Sequence, residues 1–141
     1  MFELLNKCID SAVGSGASYA DARILISKSR TISSKDGDLE EFNDSENMGV
    51  GIRALVGSSW GFYATYDLSD SSLIKAGRRA FLIAEASSKV PGRNFPLADV
   101  PIVQDEYITP HEQNPFVVSS SDQVNLLVDA TYLMKKQGSS V

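Results

Sequence analysis

The sequence predicts an α+β fold in which an antiparallel sheet of about four strands packs against two to three helices. Three observations lead to this prediction. Apolar residues recur at helical spacing near both ends of the chain and once between them. From residue 19 to 66 β-branched residues alternate with polar ones, and glycine-containing turns separate the alternating stretches. The 141 residues, 43% hydrophobic and 22% charged, suit one folded, water-soluble domain.

The first predicted element is an amphipathic helix over about residues 2–13, with Leu5 and Ile9 on its apolar side. The G-S-G sequence at residues 14–16 should end it, because glycine tolerates the left-handed conformation that closes a helix. Cys8, the single cysteine, lies among the apolar positions. We therefore interpret Cys8 as a small core residue and not as a nucleophile.

Alternation over residues 19–33 predicts a first strand. Asp36 and Gly37 then predict a two-residue hairpin turn, since both central positions of that turn need positive φ. A second, acidic strand returns through residues 39–42. This polar stretch, extending to about residue 47, could pair with an extended peptide by strand addition. A strand that is acidic for solubility alone would have the same composition.

Residues 49–54 read G-V-G-I-R-A and match the G-x-G-x-x-A pattern of dinucleotide-binding turns. Such a turn needs a buried strand before the glycines and a helix directly after them. Here a polar N-D-S-E-N run precedes and β-branched residues follow. We predict instead a strand that ends near Val56, a turn at residues 57–59 and a strand over residues 60–66. The glycines would mark close approach by a backbone or a large side chain.

Trp60, Phe62 and Tyr66 fall on one side of that last strand. Packing of this aromatic row beneath a helix is the expected arrangement, and a platform for a ligand or partner is the alternative. Ser69 is a suitable cap for a following helix over about residues 70–88. Small residues along this helix should permit close packing on the sheet.

Gly77 interrupts that helix at a cost of roughly 1 kcal/mol against alanine, which predicts a tight contact there. The helical pattern is lost after residue 90, and all five prolines follow it. We therefore divide the chain into an α+β domain at residues 1–90, an extended proline-containing segment at residues 91–119 and a helix at residues 120–138.

The net charge of the chain and its small number of histidines and cysteines argue against several functions. The net charge of −5 disfavours nucleic acid, and no stretch approaches the roughly 18 apolar residues that span a bilayer. We expect no nucleic-acid or membrane partner and a cytoplasmic location. A hydrolytic metal needs two or three imidazoles, or imidazoles together with carboxylate or thiolate ligands, and a serine or cysteine nucleophile needs a histidine base. His111 is the single histidine of the chain and Cys8 its single cysteine. We expect neither catalytic residues nor metal ligands in this chain.

Several motifs occur in a distinctive order. They are G-A-S-Y-A-D-A-R-I after the first helix, K-D-G at the hairpin, G-V-G-I-R-A-L-V, W-G-F-Y-A-T-Y-D-L-S-D and N-P-F-V-V-S-S-S-D-Q. Together, over roughly residues 4–134, they resemble the amino-terminal domain of the TldD/PmbA family. Y-A-D-A-R and W-G-F-Y-A-T are closer to the TldD-type subunit than to the metal-free PmbA type.

The resemblance implies a cytoplasmic metalloprotease that acts on unfolded peptides and pairs with a related subunit as a homo- or heterodimer. An older family name, modulator of DNA gyrase, fits poorly with the acidic charge. Zinc is implied for the full-length active protein, through an H-E-x-x-x-H helix that belongs to a carboxy-terminal domain and does not occur in this sequence. The last helix of this chain would lead toward that domain.

We therefore expect an amino-terminal domain or fragment of a TldD-type zinc metalloprotease that contributes to the substrate cleft and to subunit contacts. Arg53, Trp60, Phe62 and Thr65 are the expected contacts with substrate or partner. For Arg53, an internal salt bridge is the competing role, because a cation inside a strand needs a partner or solvent. A stand-alone, non-catalytic interaction module is the alternative function.

Overall fold

The structure, a computed structural model, describes residues 1–90 and 96–138. Its elements are helix α1 (Phe2–Gly14), strands β1 (Tyr19–Lys35), β2 (Asp38–Val56) and β3 (Ser59–Thr65), helix α2 (Asp70–Ser88), a 3-10 turn (Pro115–Val117) and helix α3 (Ser120–Gln137). The strands form one antiparallel sheet in the order β1-β2-β3. The predicted α+β class is confirmed.

The sheet contains three strands where about four are predicted, because the second and third predicted strands are one continuous strand, β2. The polar residues 43–47 have no strand pattern of their own. They are nevertheless held beside β1 by ion pairs: Arg30 Nη2 lies 2.6 Å from Asp44 Oδ2, and Lys28 Nζ lies 3.2 Å from Glu46 Oε2. Opposite charges on neighbouring strands thus continue the strand through a run whose composition suggests a loop.

Two compact units divide the chain: Met1–Ser27 with Asn47–Gln104, and Lys28–Glu46 with Asp105–Val141. We call them unit 1 and unit 2. They do not follow chain order, because β1 and β2 each contribute to both. The predicted division at residues 90 and 119 concerns the organisation of a longer protein and stays a prediction.

Unit 1 buries its core between the sheet and two helices. Its buried apolar residues are Cys8, Ala12, Ala17, Val50, Ile52, Ala54, Leu73, Ala76 and Ala80. Helix α2 packs on both β3 and α1. Among the core side chains, Ile52 and Leu73 are large and fully buried, and burial of each contributes about 1.5–3 kcal/mol. Most of the helix residues in this core are alanines, which lets the helices lie close to the strands.

Two glycines set the close approach of these elements. A Cβ added at Gly61 of β3 would overlap the carbonyl oxygen of Ala80 in α2, and one at Gly77 of α2 would overlap the carbonyl oxygen of Cys8 in α1. The predicted tight contact at Gly77 is confirmed. The prediction that the aromatic row packs beneath a helix is wrong, because α2 lies on the side of β3 where Gly61 leaves room for its backbone.

A short hydrogen-bonded turn starts α2. Ser69 is the N-cap, and its Oγ accepts a bond from the Ser72 N–H at 3.4 Å. Asp67 accepts bonds from the Ser72 hydroxyl at 2.6 Å and from the Ser69 N–H at 2.9 Å. These bonds favour the charged carboxylate, and the one from Ser72 contributes most to lowering the pKa of Asp67.

In unit 2, α3 lies against the β1-β2 hairpin. Asp36 and Gly37 have φ of 58° and 91°, which confirms the predicted turn. Thr131 Oγ1 accepts the Gly37 N–H at 3.1 Å and lies 2.7 Å from Ser34 Oγ. Of the predicted extended segment, residues 91–95 lie outside the described residues.

Residues 96–114 of that segment form no helix or strand, and the 3-10 turn Pro115–Val117 lies near its end. Large apolar side chains along it are exposed, with Ile102 at 95% and Tyr107 at 83%.

Candidate functional site

One side of the unit 1 sheet is not covered by α1 or α2. We call it the open face and define it by Tyr19, Asp21, Arg53, Leu55, Trp60 and Phe62. Because side chains alternate along a strand, the β2 residues next to buried Ile52 point away from the helices. In the β2-β3 ladder, Arg53 lies opposite Phe62 and Leu55 lies opposite Trp60. The open face therefore contains three of the four predicted contact residues.

An ion pair lies at the centre of the open face. Arg53 Nε lies 3.1 and 3.0 Å from the two carboxylate oxygens of Asp21, and Arg53 Nη2 lies 2.7 Å from Asp21 Oδ2. The hydrogen bond to Asp21 raises the pKa of Arg53, so the guanidinium stays charged. The internal salt bridge that we considered for Arg53 is confirmed, with about half of the side chain still exposed.

Trp60 packs against three neighbours. The Arg53 guanidinium lies 5.1 Å from the centroid of the Trp60 ring, in cation–π geometry. The Tyr19 ring meets it edge-on, with centroids 5.8 Å apart and an interplanar angle of 85°. Leu55, directly opposite on β2, is only 6% exposed although it points to the open face. Trp60 itself remains 41% exposed, so a fixed indole is presented to solvent.

Phe62 explains one glycine of the G-x-G-x-x-A stretch. A Cβ at Gly51 would lie 3.1 Å from Phe62 Cε2, so the ring covers the space above that glycine. The stretch lies wholly inside β2, as predicted, and no helix follows it. Gly51 thus accommodates the neighbouring ring of Phe62, and the Phe62 side chain is 60% exposed.

Thr65, the fourth predicted contact residue, is placed differently. It lies opposite Val50 in the ladder and therefore points to the helix side of the sheet. Its hydroxyl accepts a hydrogen bond from the Asp67 N–H at 3.1 Å, in the turn that leads to α2. The structure thus separates Thr65 from the open face, while contact by any of the four residues stays a prediction.

The open face can bind but has no group suited to bond cleavage. Among the residues that define the open face, the ionic groups of Asp21 and Arg53 pair with each other, and the other four side chains are aromatic or aliphatic. A general base would need an unpaired group with a pKa near the working pH. The chemistry of this face therefore favours contact with a peptide or a protein.

Other reactive side chains do not assemble into a second site. Cys8 is buried, and burial raises the pKa of its thiol, so the reactive thiolate is disfavoured. His111 is exposed, with Nδ1 3.1 Å from the Thr109 carbonyl oxygen. Within residues 1–90 and 96–138, no three His, Cys, Asp or Glu side chains lie together so as to hold a metal ion. No helix in the same ranges has the length and apolarity to cross a membrane.

Unit 2 contains an arrangement that the sequence does not predict. Arg30 donates to Asp44 Oδ2 from Nε at 3.2 Å and from Nη2 at 2.6 Å, and to Gln123 Oε1 from Nη1 at 3.2 Å. Its guanidinium lies 5.6 Å from the Phe116 ring centroid. Arg30 and Gln123 are 93 residues apart in the chain, and nothing in either local pattern signals the contact.

These residues border an open groove of about 380 Å³. The groove is lined by Arg30, Ile32, Pro115, Phe116, Gln123, Leu126 and Leu127. Arg30 of β1 donates hydrogen bonds to Asp44 of β2 and to Gln123 of α3 at the same time. The arginine therefore holds α3 against the hairpin.

Comparison with known proteins agrees with this architecture. Residues 20–84, from β1 into α2, match the family model described as PmbA/TldA metallopeptidase domain 1. Over 111 residues, 79% of the chain, it is 30% identical to a protein of Methanocaldococcus jannaschii named Metalloprotease MJ0996. This region corresponds to 25% of that protein, so the chain spans about a quarter of the length of its curated relative. The resemblance predicted from the ordered motifs is confirmed, and the chain belongs to the TldD/PmbA family.

Proposed function

We propose that this chain is the amino-terminal part of a TldD-type zinc metallopeptidase that acts on unfolded peptides. Its own contribution is binding: the open face forms part of the substrate cleft or of the contact with a related subunit. Family membership and the curated metalloprotease relative support the peptidase context. The observation that carries the binding role is the pair of exposed aromatic side chains, Trp60 and Phe62, beside an arginine already held by Asp21.

The composition of the open face suits a contact surface. Trp, Tyr and Arg are the residues that most often dominate binding energy at protein interfaces. Arg53 keeps its hydrogen bonds to Asp21 when a partner covers it, so no unpaired charge is buried. Trp60 is held by Tyr19 and Arg53, which reduces the side-chain entropy lost on binding.

The metal of the family would have to be held elsewhere. A catalytic zinc site needs three protein ligands and an open position for water. The described ranges of this chain bring no such set together, and the donors present do not fit the ion. We propose that the ligands lie in another part of a longer polypeptide, and we assign no step of peptide hydrolysis to residues of this chain. The proposal includes a cytoplasmic location and a homo- or heterodimer.

A surface substitution tests the binding role in the complete enzyme. Phe62→Ser should lower the kcat/KM for an unfolded peptide or weaken subunit association, because it removes an exposed aromatic contact, and it should leave the melting temperature nearly unchanged. Ile74→Ser is the matched control, since Ile74 is a half-exposed apolar residue of α2 outside the open face. If Phe62→Ser matches the control in cleavage and in association, the binding role is rejected.

A stand-alone interaction module is the second candidate, favoured by the lack of a ligand cluster in the described residues. Both candidates predict that the isolated chain leaves an unfolded peptide intact with and without added zinc. They differ in the coding sequence that follows this segment. An H-E-x-x-x-H sequence there supports the peptidase, and a stop codon directly after this segment supports the module.

A further inference from the structure

The turn between β1 and β2 contains a chemically reactive pair of residues. Asp36-Gly37 is the single Asp-Gly sequence of the chain, and Asn-Gly does not occur in it. In such a pair the backbone nitrogen of the glycine can attack Cγ of the aspartate, because glycine has no Cβ to hinder the approach. The N–Cγ bond forms, the carboxyl group loses a hydroxyl and the nitrogen loses its proton. One water molecule therefore leaves, and a succinimide ring is produced.

Hydrolysis of the succinimide returns the water at either of its two carbonyl carbons. One product is the original aspartate. The other is isoaspartate, in which the main chain runs through Cβ and Cγ of residue 36. The net reaction is a rearrangement of the backbone that needs no enzyme, oxidant or cofactor. In a folded chain its rate depends on whether the Gly37 nitrogen is free to move onto the Asp36 side chain.

Helix α3 holds the Gly37 nitrogen, and both belong to unit 2. The Gly37 N–H donates to Thr131 Oγ1 at 3.1 Å, across 94 positions of sequence. The Thr131 hydroxyl donates to the Val128 carbonyl oxygen at 3.1 Å within α3, which leaves a lone pair of Oγ1 for the Gly37 N–H. Ser34 Oγ lies 2.7 Å from the same oxygen. The Gly37 N–H is thus bound by an acceptor whose orientation the helix fixes.

Tyr132 covers the same peptide unit. A Cβ added at Gly37 would lie 3.0 Å from Tyr132 Cβ and 3.4 Å from its Cα, so the helix lies directly against the glycine. Asp36, by contrast, is exposed. One reactant, the Asp36 carboxyl group, is therefore in solvent, and the other, the Gly37 nitrogen, is held beneath α3.

The attachment of α3 to the hairpin lacks a buried core. No residue of α3 is buried. The helix is held by partly exposed apolar contacts and by hydrogen bonds such as those of Thr131 with Gly37 and of Gln123 with Arg30. Elements with few buried apolar contacts open at a lower free energy than the core of a protein. We therefore expect α3 to leave the hairpin more often than the core of unit 1 unfolds.

We propose that Asp36-Gly37 is a site of spontaneous isoaspartate formation that docked α3 suppresses. When α3 leaves the hairpin, the Gly37 N–H loses its acceptor and the cyclisation proceeds. Isoaspartate adds Cβ to the main chain, so the two-residue turn can no longer present the Gly37 N–H to Thr131. Since α3 then cannot return to its place, the fraction of isoaspartate at residue 36 records the time that a chain has spent with α3 detached.

Ageing of the purified 141-residue chain at neutral pH tests the proposal. Enzymatic carboxyl methylation quantifies isoaspartate, and electron-transfer fragmentation locates it. Thr131→Val removes the acceptor, and Thr131→Ser keeps the hydroxyl as the matched control. Thr131→Val should accumulate isoaspartate at residue 36 about fivefold faster than wild type, as expected for the loss of one hydrogen bond. Thr131→Ser should stay close to the wild-type rate.

The rates are compared at a temperature at which circular dichroism shows all three chains to be folded, so that global unfolding does not contribute. Equal rates in wild type and Thr131→Val overturn the proposal. A rise in Thr131→Ser as large as in Thr131→Val also overturns it, because the hydroxyl would then not be the protecting group.

A second measurement needs no variant. In guanidinium chloride, where α3 is detached, the wild-type chain should form isoaspartate at residue 36 about tenfold faster than in buffer, or more. Equal rates in the two conditions would show that α3 gives no protection. The isolated isoaspartyl chain should also lose amide-exchange protection over residues 127–132, and unchanged protection there contradicts the loss of α3 docking. None of these assays depends on peptidase activity.

Discussion

Phe62 of β3 lies over Gly51 of β2, so that a Cβ on Gly51 would lie 3.1 Å from Phe62 Cε2. Because Phe62 is exposed, its ring can move by a few tenths of an ångström. Gly51→Ala should therefore change the free energy of unfolding by less than about 1 kcal/mol, since small overpacking is offset by a less flexible unfolded chain. Chemical denaturation measures this. A loss of several kcal/mol would show that the ring is fixed.

Gly61→Ala should have the opposite outcome. The added methyl would overlap the backbone of α2 at Ala80 and Ala84, which cannot move without separating the helix from β3. We expect a loss of about 3 kcal/mol or more in the free energy of unfolding. Gly14→Ala is the matched control, because a Cβ there has nothing within 4 Å. A Gly61→Ala variant as stable as Gly14→Ala would contradict the observed packing of α2.

The Arg53–Asp21 pair should contribute little to stability. Both side chains are partly exposed, and exposed pairs typically contribute about 0.2–1 kcal/mol. A double-mutant cycle with Arg53→Ala and Asp21→Ala should give a coupling energy of about 0.5 kcal/mol. Since Trp60 is the single tryptophan and lies 5.1 Å from the Arg53 guanidinium, Arg53→Ala should also shift its fluorescence emission. An unchanged spectrum would place Arg53 away from the indole in solution.

Asp67 should make stability depend on pH at the acid end. Hydrogen bonds from Ser72 and Ser69 lower the pKa of Asp67 in the folded state. Its contribution is therefore complete above the unfolded-state pKa of about 3.9 and is lost as the pH falls through the lower folded-state pKa. Asp67→Asn should be less stable than wild type at pH 7, and the difference should shrink below about pH 4. Thermal melts from pH 7 down to acid conditions measure this, and a difference independent of pH would contradict it.

Cys8 should be unreactive in the folded chain. It is fully buried between α1 and the rest of unit 1, and burial raises the pKa of its thiol. A thiol reagent at neutral pH should therefore label it only in denaturant. Rapid labelling of the native chain would indicate that α1 opens readily from α2.

The sequence predicts the local features of this fold well. The Asp36-Gly37 turn, the helix that Ser69 caps and the need of Arg53 for a partner each follow from the chemistry of a few neighbouring residues. The continuity of β2 through residues 43–47 cannot be predicted in this way, because it depends on ion pairs with β1 that no local pattern shows.

The location of the open face is a similar case. Along β3, Trp60 and Phe62 alternate with Gly61 and Tyr63, and either pair could have faced the helix. The side with Gly61 does so because the backbone of α2 needs the space, and that need is visible only once the helix is in place. Likewise, the contact of Arg30 with Gln123 joins residues 93 positions apart, and sequence separation hides it.

The contacts at Gly61 and Gly77 join main chain to main chain, so the spacing of α1, α2 and β3 does not depend on the sizes of the side chains around them. Core residues such as Leu73 can therefore be exchanged for others of similar volume with little movement of β3. Trp60 and Phe62 would keep their positions while the interior diverges, and homologues could retain the same recognition surface over very different cores.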